Sequence, residues 1–246
     1  MDHTISQFDT DLQSLRSSVT AMAGLVEEQF LRSVGAVREG DLDLVAQVLT
    51  DEAEVNRMHV QIDLKCHQII ARLQPIAVDL REIIAVLHMN NDLERIGDEA
   101  KKIAKKARDL HGRSLPISME RIDQMAIMVR DMLRTATDAF VRQNPDACEP
   151  LLKRDKDVDR LRDELTADLM KSMSQTPASV SEGLAVVFVV QSLERVGDHA
   201  KNIGEYVVTV VEGVDPRHRR SVAKANARQA EQEQAEQEQA EQEQKS

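Results

Sequence analysis

The chain has 246 residues, of which 41% are hydrophobic and 30% charged, and its formal net charge at pH 7 is −11. Nine glycines, six prolines and an aromatic content of 2% supply too few turn and strand formers for an all-β protein. The composition therefore predicts an all-α protein. The negative charge argues against nucleic-acid binding, which depends on basic surface, and two cysteines exclude a disulfide scaffold.

Hydrophobic periodicity predicts six helices in chain order, separated by Gly and Pro residues. Their approximate ranges are 9–37, 41–73, 76–110, 118–141, 146–173 and 177–211. The pattern of the first three helices recurs in the next three, which predicts two tandem pseudo-symmetric three-helix bundles followed by a low-complexity tail. We assign the first repeat to residues 1–112, the second to 113–216 and the tail to 217–246.

The tail has a basic stretch followed by EQEQA repeats over residues 231–244. It lacks an apolar stripe and so cannot bury a core. We interpret it as a solvated appendage, disordered or partly helical, with a partner-binding tail as the alternative. The N-terminal residues do not resemble a signal peptide, and the longest apolar run, 184–190, is too short to span a membrane. We expect a cytoplasmic protein.

The third and sixth helices carry one motif twice, at residues 92–103 and 192–203, with a constant offset of 100. A weaker match relates the second and fifth helices at an offset of 103. Within the motif, Gly97 and Gly197 lie inside the predicted helices, where each glycine lowers helix stability by roughly 1 kcal/mol relative to alanine. The recurrence predicts that a neighbouring helix approaches closely at both glycines.

Acidic residues recur at helical spacing along one face of the third and sixth helices, and this face is apolar nearer the N-terminal end of each helix. Glu94 and Asp98 end such a stripe in the third helix, and Glu194 and Asp198 do so in the sixth. Antiparallel packing would bring the second helix, with Glu52, to the first pair. It would likewise bring the fifth helix to the second pair. The fifth helix contributes Asp155 and Asp159, whereas the position equivalent to Asp159 in the second helix is Asn56.

Like charges so close together need a compensating cation. One explanation is internal pairing: Asp98 with Lys101 or Lys102, Arg95 with Glu99, and arginines from the first and fourth helices. The other is a metal ion held by carboxylate oxygens, such as Mg²⁺, Mn²⁺, Ca²⁺ or iron. The candidate metal-binding residues are Glu52, Glu94, Asp98, Asp155, Asp159, Glu194 and Asp198. A ferritin-like di-iron site is disfavoured because the sequence contains no Glu-x-x-His, and no phosphate loop or nucleophile motif predicts a catalytic residue.

At these motifs the chain resembles the PhoU family of phosphate-transport regulators. The resemblance rests on Glu94-Arg-Ile-Gly-Asp98, on Glu194-Arg-Val-Gly-Asp198 and on the segments 72–81 and 213–218, and it covers about residues 5–218. It implies two similar three-helix bundles and no enzymatic activity. It also implies that metal, namely iron, manganese, magnesium or zinc, binds the seven acidic residues. The EQEQA tail is not part of the family pattern.

The resemblance also implies a function. Such a protein is expected to be a cytoplasmic negative regulator of the phosphate-starvation response, commonly a homodimer. It would link the ATPase of a high-affinity phosphate ABC transporter to a membrane sensor histidine kinase, and it would restrain phosphate uptake. The alternative is a metal-storing or metal-dependent helical protein whose acidic cluster is its main function.

Overall fold

The protein, described by a computed structural model over residues 2–213 with side chains from Phe8 onward, is built from long helices. The six are α1 (Asp2–Glu39), α2 (Leu42–Leu73), α3 (Ala77–Leu110), α4 (Met119–Arg142), α5 (Leu151–Gln175) and α6 (Val180–Glu212). Short 3-10 helices cover Pro145–Cys148 and Pro177–Ser179. The prediction of an all-α fold with six long helices is confirmed, while the tail at 217–246 lies outside the described residues.

Local sequence accounts for the helix ends. The Asp41 carboxylate caps α2 by accepting hydrogen bonds from the backbone N–H groups of Asp43 (2.7 Å) and Leu44 (3.3 Å). The predicted start of the fifth helix at residue 146 was early, because α5 begins at Leu151. A proline ring inside a helix clashes with the preceding turn, so Pro150 separates the 3-10 turn from α5.

The helices pack as two bundles, α1–α2–α3 and α4–α5–α6, which join along α3 with α6 and along α1 with α4. One continuous apolar core runs through both bundles. Helices α3 and α6 are antiparallel: the His88 ring stacks on Tyr206 with centroids 5.1 Å apart, and Lys106 lies 5.2 Å from the centre of the Phe188 ring. The offset of 100 converts the first contact into the second.

A further repeat relates α1 to α4, which the sequence comparison had not detected. At an offset of 103, apolar residues that are buried in α1 correspond to apolar residues that are buried in α4. The pairs include Val19 with Ile122, Met22 with Met125, Val26 with Val129 and Phe30 with Leu133. Within residues 2–213, no helix is long and apolar enough to cross a membrane.

Candidate functional site

In the first half, a lysine lies between the two acidic helices. The Lys101 ammonium donates to Glu52 Oε1 (3.1 Å) and lies 3.4 Å from Asp98 Oδ1. The hydrogen bond to Glu52 is the main cause of a raised pKa at Lys101. Glu52 itself is only 5% exposed. A buried carboxylate needs a cation or hydrogen-bond donors, and Lys101 supplies the cation.

Two side-chain amides complete the hydrogen bonding of the Glu52 carboxylate. Asn56 Nδ2 and Gln29 Nε2 each donate to Glu52 at 3.1 Å, and Gln29 Nε2 also lies 3.3 Å from the carbonyl oxygen of Val48. Gln29 is fully buried, and its Oε1 has no hydrogen-bond partner among the described residues. Sequence reasoning missed Gln29. The available signal was a polar residue three positions after Val26 on the apolar stripe of α1.

The second half repeats the lysine bridge. Lys201 Nζ donates to Asp155 Oδ2 (2.9 Å) and to Asp198 Oδ1 (2.7 Å). Arg162, two turns beyond Asp155 along α5, donates to Glu194 Oε1 at 2.6 Å and lies 3.4 Å from Asp159 Oδ1. Four carboxylates therefore share two cations, and the packing of α5 against α6 brings all of these groups together.

Burial shifts the protonation of this second cluster. Desolvation raises the pKa of Asp155, against the opposing effect of Lys201. Desolvation also raises the pKa of Glu194, with repulsion from Asp198 adding to it. Burial by itself would lower the pKa of Lys201, but its hydrogen bonds to Asp198 and Asp155 outweigh that effect and the pKa is raised. The lysine is thus held in its charged form while two of the acids resist ionisation.

The other predicted ion pairs are only partly realised. Asp98 pairs with Lys101, as expected, but Lys102 instead donates to Glu99 at 2.8 Å. The predicted pair of Arg95 with Glu99 is replaced by a contact between Glu99 and Arg195, at 3.5 Å, from the opposite bundle.

The arginines of α1 and α4 pair away from the acidic motifs. The side chain of Arg16 binds Glu82, that of Arg32 binds Asp51 and that of Arg121 binds Glu164 and Asp168. The expectation that such arginines neutralise the acidic stripes was therefore wrong. Glu94 does not join the Lys101 cluster either; its nearest cation is Arg95, at 3.6 Å.

The donor set suits a hard cation, since every candidate ligand is a carboxylate. As the side chains lie, however, no three Asp, Glu, His or Cys residues within the described part of the chain are grouped so as to hold a metal ion. Lys101 and Lys201 stand where a bridging ion would join α2 to α3 and α5 to α6. A metal would have to displace them, so metal binding at the seven acidic residues stays a prediction.

The two motif glycines have different surroundings. A Cβ atom at Gly97 would lie 3.0 Å from Gln29 Oε1 and 3.3 Å from Glu52 Oε2, which is a close approach by buried polar groups. At Gly197 the nearest atoms, on Val129 and Val158, would be 3.6 Å away, an ordinary contact. The predicted close approach holds in the first half and not in the second.

A short hydrogen bond between Asp92 and His199 also crosses between the bundles, in addition to the Glu99–Arg195 contact. Asp92 Oδ1 lies 2.6 Å from His199 Nδ1, and Asp92 is buried. The offset of 100 places Ser192 and Glu99 at the equivalent positions, so this contact breaks the pseudo-symmetry. The motif comparison could not reveal it, because the two residues differ between the repeats.

These features define a class: an all-helical protein of two three-helix repeats, each with a lysine that bridges two acidic helices. The sequence profile of the PhoU domain matches the chain twice, over residues 19–107 and 122–207. The chain belongs to the PhoU family.

Similarity to known relatives extends over most of the chain. The chain is 42% identical over 218 residues to the phosphate-specific transport system accessory protein PhoU homolog of Pseudomonas putida, covering 88% of this chain and 85% of the relative. It is 35% identical to the Escherichia coli accessory protein PhoU, covering 88% and 90%. The crystal structure of PhoU from Pseudomonas aeruginosa is 38% identical and superposes with a TM-score of 0.82, covering 84% of this chain and 100% of that one.

A second solved structure is more distant. The crystal structure of the phosphate transport system regulatory protein PhoU from Streptococcus pneumoniae is 25% identical, with a TM-score of 0.79, and covers 85% of this chain and 98% of that one. The six-helix architecture therefore persists at low sequence identity.

Proposed function

We propose that this protein is an accessory protein of a phosphate-specific transport system and that it restrains phosphate uptake. The observation that carries the proposal is identity of 35–42% over 88% of the chain to relatives named as accessory proteins of a phosphate-specific transport system. In this role the protein is a negative regulator of the phosphate-starvation response. The names of these relatives refer to phosphate transport and give no support to metal storage as the main function.

The state of the acidic clusters supports action by contact and not by catalysis. Asp98, Asp155 and Asp198 are bound to lysines, and Glu194 is bound to Arg162. A general acid or base needs an available proton site near a bound substrate, whereas these carboxylates already have partners within the protein. We therefore propose a regulator that is not an enzyme.

The partners we propose are the ATPase of the phosphate ABC transporter and a membrane sensor histidine kinase. In this proposal the protein lies in the cytoplasm as a homodimer and reaches the membrane only through these two. Long helices with charged outer faces offer extended surfaces for such contacts. Exposed apolar residues, among them Leu184 and Phe188 at 50% and 53% exposure, interrupt the charged surface and are candidate contact points.

A deletion strain tests the regulatory role. Removing the gene should leave radiolabelled phosphate uptake high in phosphate-rich medium, and restoring the full chain should lower it. The control is a complementing gene whose Phe140, in the core of α4, is replaced by aspartate, which should unfold the protein and fail to restore repression. Unchanged uptake in the deletion strain would contradict the proposal.

Purified components test the partners separately. The full chain should co-purify with the transporter ATPase and with the cytoplasmic part of the kinase, and it should not hydrolyse phosphate esters. Steady hydrolysis that disappears with Glu194→Gln would overturn the non-enzymatic part of the proposal. Failure to bind the ATPase while uptake remains repressed would overturn that partner assignment and leave the regulatory role intact.

A further inference from the structure

An apolar groove with an acidic rim lies beside the C-terminal half of α6. It has a volume of about 300 Å³ and runs between the 3-10 turn with the start of α5 on one side and residues 201–212 on the other. Its floor includes Cys148, Leu151 and Val208. Its acidic residues are Asp146, Glu149, Glu205 and Glu212.

The groove carries a net negative charge. Among the residues that line it, Lys201 is the basic one, and its ammonium group is already bound to Asp155 and Asp198. Asp146 and Glu149 are exposed at the rim. An apolar floor with an acidic rim favours a ligand that is both apolar and basic.

The acidic character is specific to the second half. Three of the four acidic residues have no acidic equivalent in the first repeat. The residues at those positions, by offsets of 103 and 100, are Ala46, Lys105 and Gly112. The rim is therefore not a by-product of the duplicated motif, and it lies in the half from which the C-terminal segment leaves.

The chain just beyond α6 contains a segment that is basic and carries small apolar side chains. Residues 217–228 contain five basic and no acidic side chains, together with Val222 and three alanines. The basic residues are Arg217, Arg219, Arg220, Lys224 and Arg228. We propose that the groove binds this segment of the same chain, so that residues 217–228 are docked and are not part of the solvated appendage that the composition suggests.

The chain can reach the groove. Gly213 ends α6 with a φ of 72°, a left-handed conformation that turns the backbone away from the helix axis. The three residues 214–216 span up to about 10 Å when extended, and the groove begins at Glu212 itself. From Glu212 back to Lys201 is about 16 Å along α6, which the twelve residues of the segment cover even at the rise of a helix.

A spin label on the full chain tests the docking. Cys66 and Cys148 are buried and burial raises their pKa values to about 12 and about 11, so a nitroxide reagent will react with Ser221→Cys in preference to them. In the ¹⁵N-labelled protein, the label should remove most of the amide signal of the non-proline residues between 145 and 152. Reversing the charges with Arg217→Glu, Arg219→Glu and Arg220→Glu, at unchanged tether length, should restore it.

Matched variants make the result decisive. Asp146→Lys with Glu149→Lys changes exposed groove residues and should also restore the signal, while a label at Ser246→Cys should leave residues 145–152 unaffected. Equal signal loss before and after charge reversal in the segment would overturn the proposal. So would signal loss in a mixture of unlabelled ¹⁵N protein with spin-labelled ¹⁴N protein, because the occupant would then be a second copy.

Discussion

Lys101 and Lys201 are equivalent residues in the two repeats, and each joins the last helix of its bundle to the middle helix. Lys101 binds Glu52 of α2 and Asp98 of α3, and Lys201 binds Asp155 of α5 and Asp198 of α6. In this structure the duplicated acidic motif therefore forms two equivalent lysine bridges, and we call each set of one lysine with its two carboxylates a lysine clasp. The surroundings of the two lysine bridges differ: the amides of buried Gln29 and exposed Asn56 bind Glu52 in the first half, whereas Arg162 binds two further carboxylates in the second.

Replacing the bridging lysine should destabilise the protein. Lys201→Met leaves Asp155 and Asp198 without their shared cation, and Asp155 is largely desolvated, with its side chain 16% exposed. We expect the free energy of unfolding in urea to fall by about 1–3 kcal/mol. Lys171→Met, which alters an exposed lysine on the same helix as Asp155, should change it by less than about 0.5 kcal/mol. Equal effects of the two variants would show that the clasp contributes nothing.

Neutralising Glu194 should have an effect that depends on pH. Its pKa is raised in the folded protein from 4.5, chiefly by desolvation. The stability that a raised pKa provides is complete below the unfolded value and is lost as the pH rises through the folded value. The wild type should therefore lose stability relative to Glu194→Gln as the pH rises above the ordinary value of 4.5, and the variant should be at least as stable once Glu194 is ionised in the folded protein.

Glu54→Gln is the matched control with the opposite sign. The hydrogen bond from Arg57 lowers the pKa of Glu54 from 4.5, so its stabilisation is present above that value and is lost as the pH falls. Relative to Glu54→Gln, the wild type should gain stability as the pH rises. Urea unfolding of the three proteins across the pH range measures both trends. Parallel trends for the two variants would contradict the assigned direction at Glu194.

The sequence predicted the fold more completely than the site. Helical periodicity and Gly and Pro punctuation are local properties, so six helices and their order could be predicted. Partners across helices depend on the helix rotation and side-chain rotamers that packing selects. This is why Lys101 and Asp98, three residues apart, were paired correctly, whereas the contacts of Glu99 with Arg195 and of Asp92 with His199 were not foreseen.

The motif glycines should respond differently to alanine. Alanine favours a helix over glycine by about 1 kcal/mol, and the space at Gly197 admits a Cβ at 3.6 Å from its neighbours. Gly197→Ala should therefore stabilise the protein. At Gly97 the Cβ would press on Gln29 and Glu52, which are buried and hydrogen-bonded to each other, and Gly97→Ala should cost about 1–2 kcal/mol. Thermal unfolding of both variants measures the difference, and equal shifts would contradict it.

The lysine clasp also determines how the predicted metal site should behave. With Lys201 in place, a divalent ion must displace an ammonium group that is bound to Asp155 and Asp198. Lys201→Gln removes that competitor and leaves four carboxylates, Asp155, Asp159, Glu194 and Asp198, with Arg162 as the nearby cation. An ion that binds the folded state stabilises it by mass action. We expect Mn²⁺ to raise the melting temperature of Lys201→Gln more than that of the wild type.

The matched control adds Glu194→Gln and Asp198→Asn to Lys201→Gln. These substitutions preserve side-chain shape but replace two carboxylates by amides, which are weaker ligands for hard cations, so Mn²⁺ should no longer raise the melting temperature. Each protein is compared in chelator and in Mn²⁺, so that any change in intrinsic stability cancels. If Mn²⁺ shifts none of the proteins, the metal prediction for the second half is wrong. If it shifts the wild type and Lys201→Gln equally, the lysine does not compete with the ion. If it then also shifts the triple variant, the ion binds elsewhere on the acidic surface.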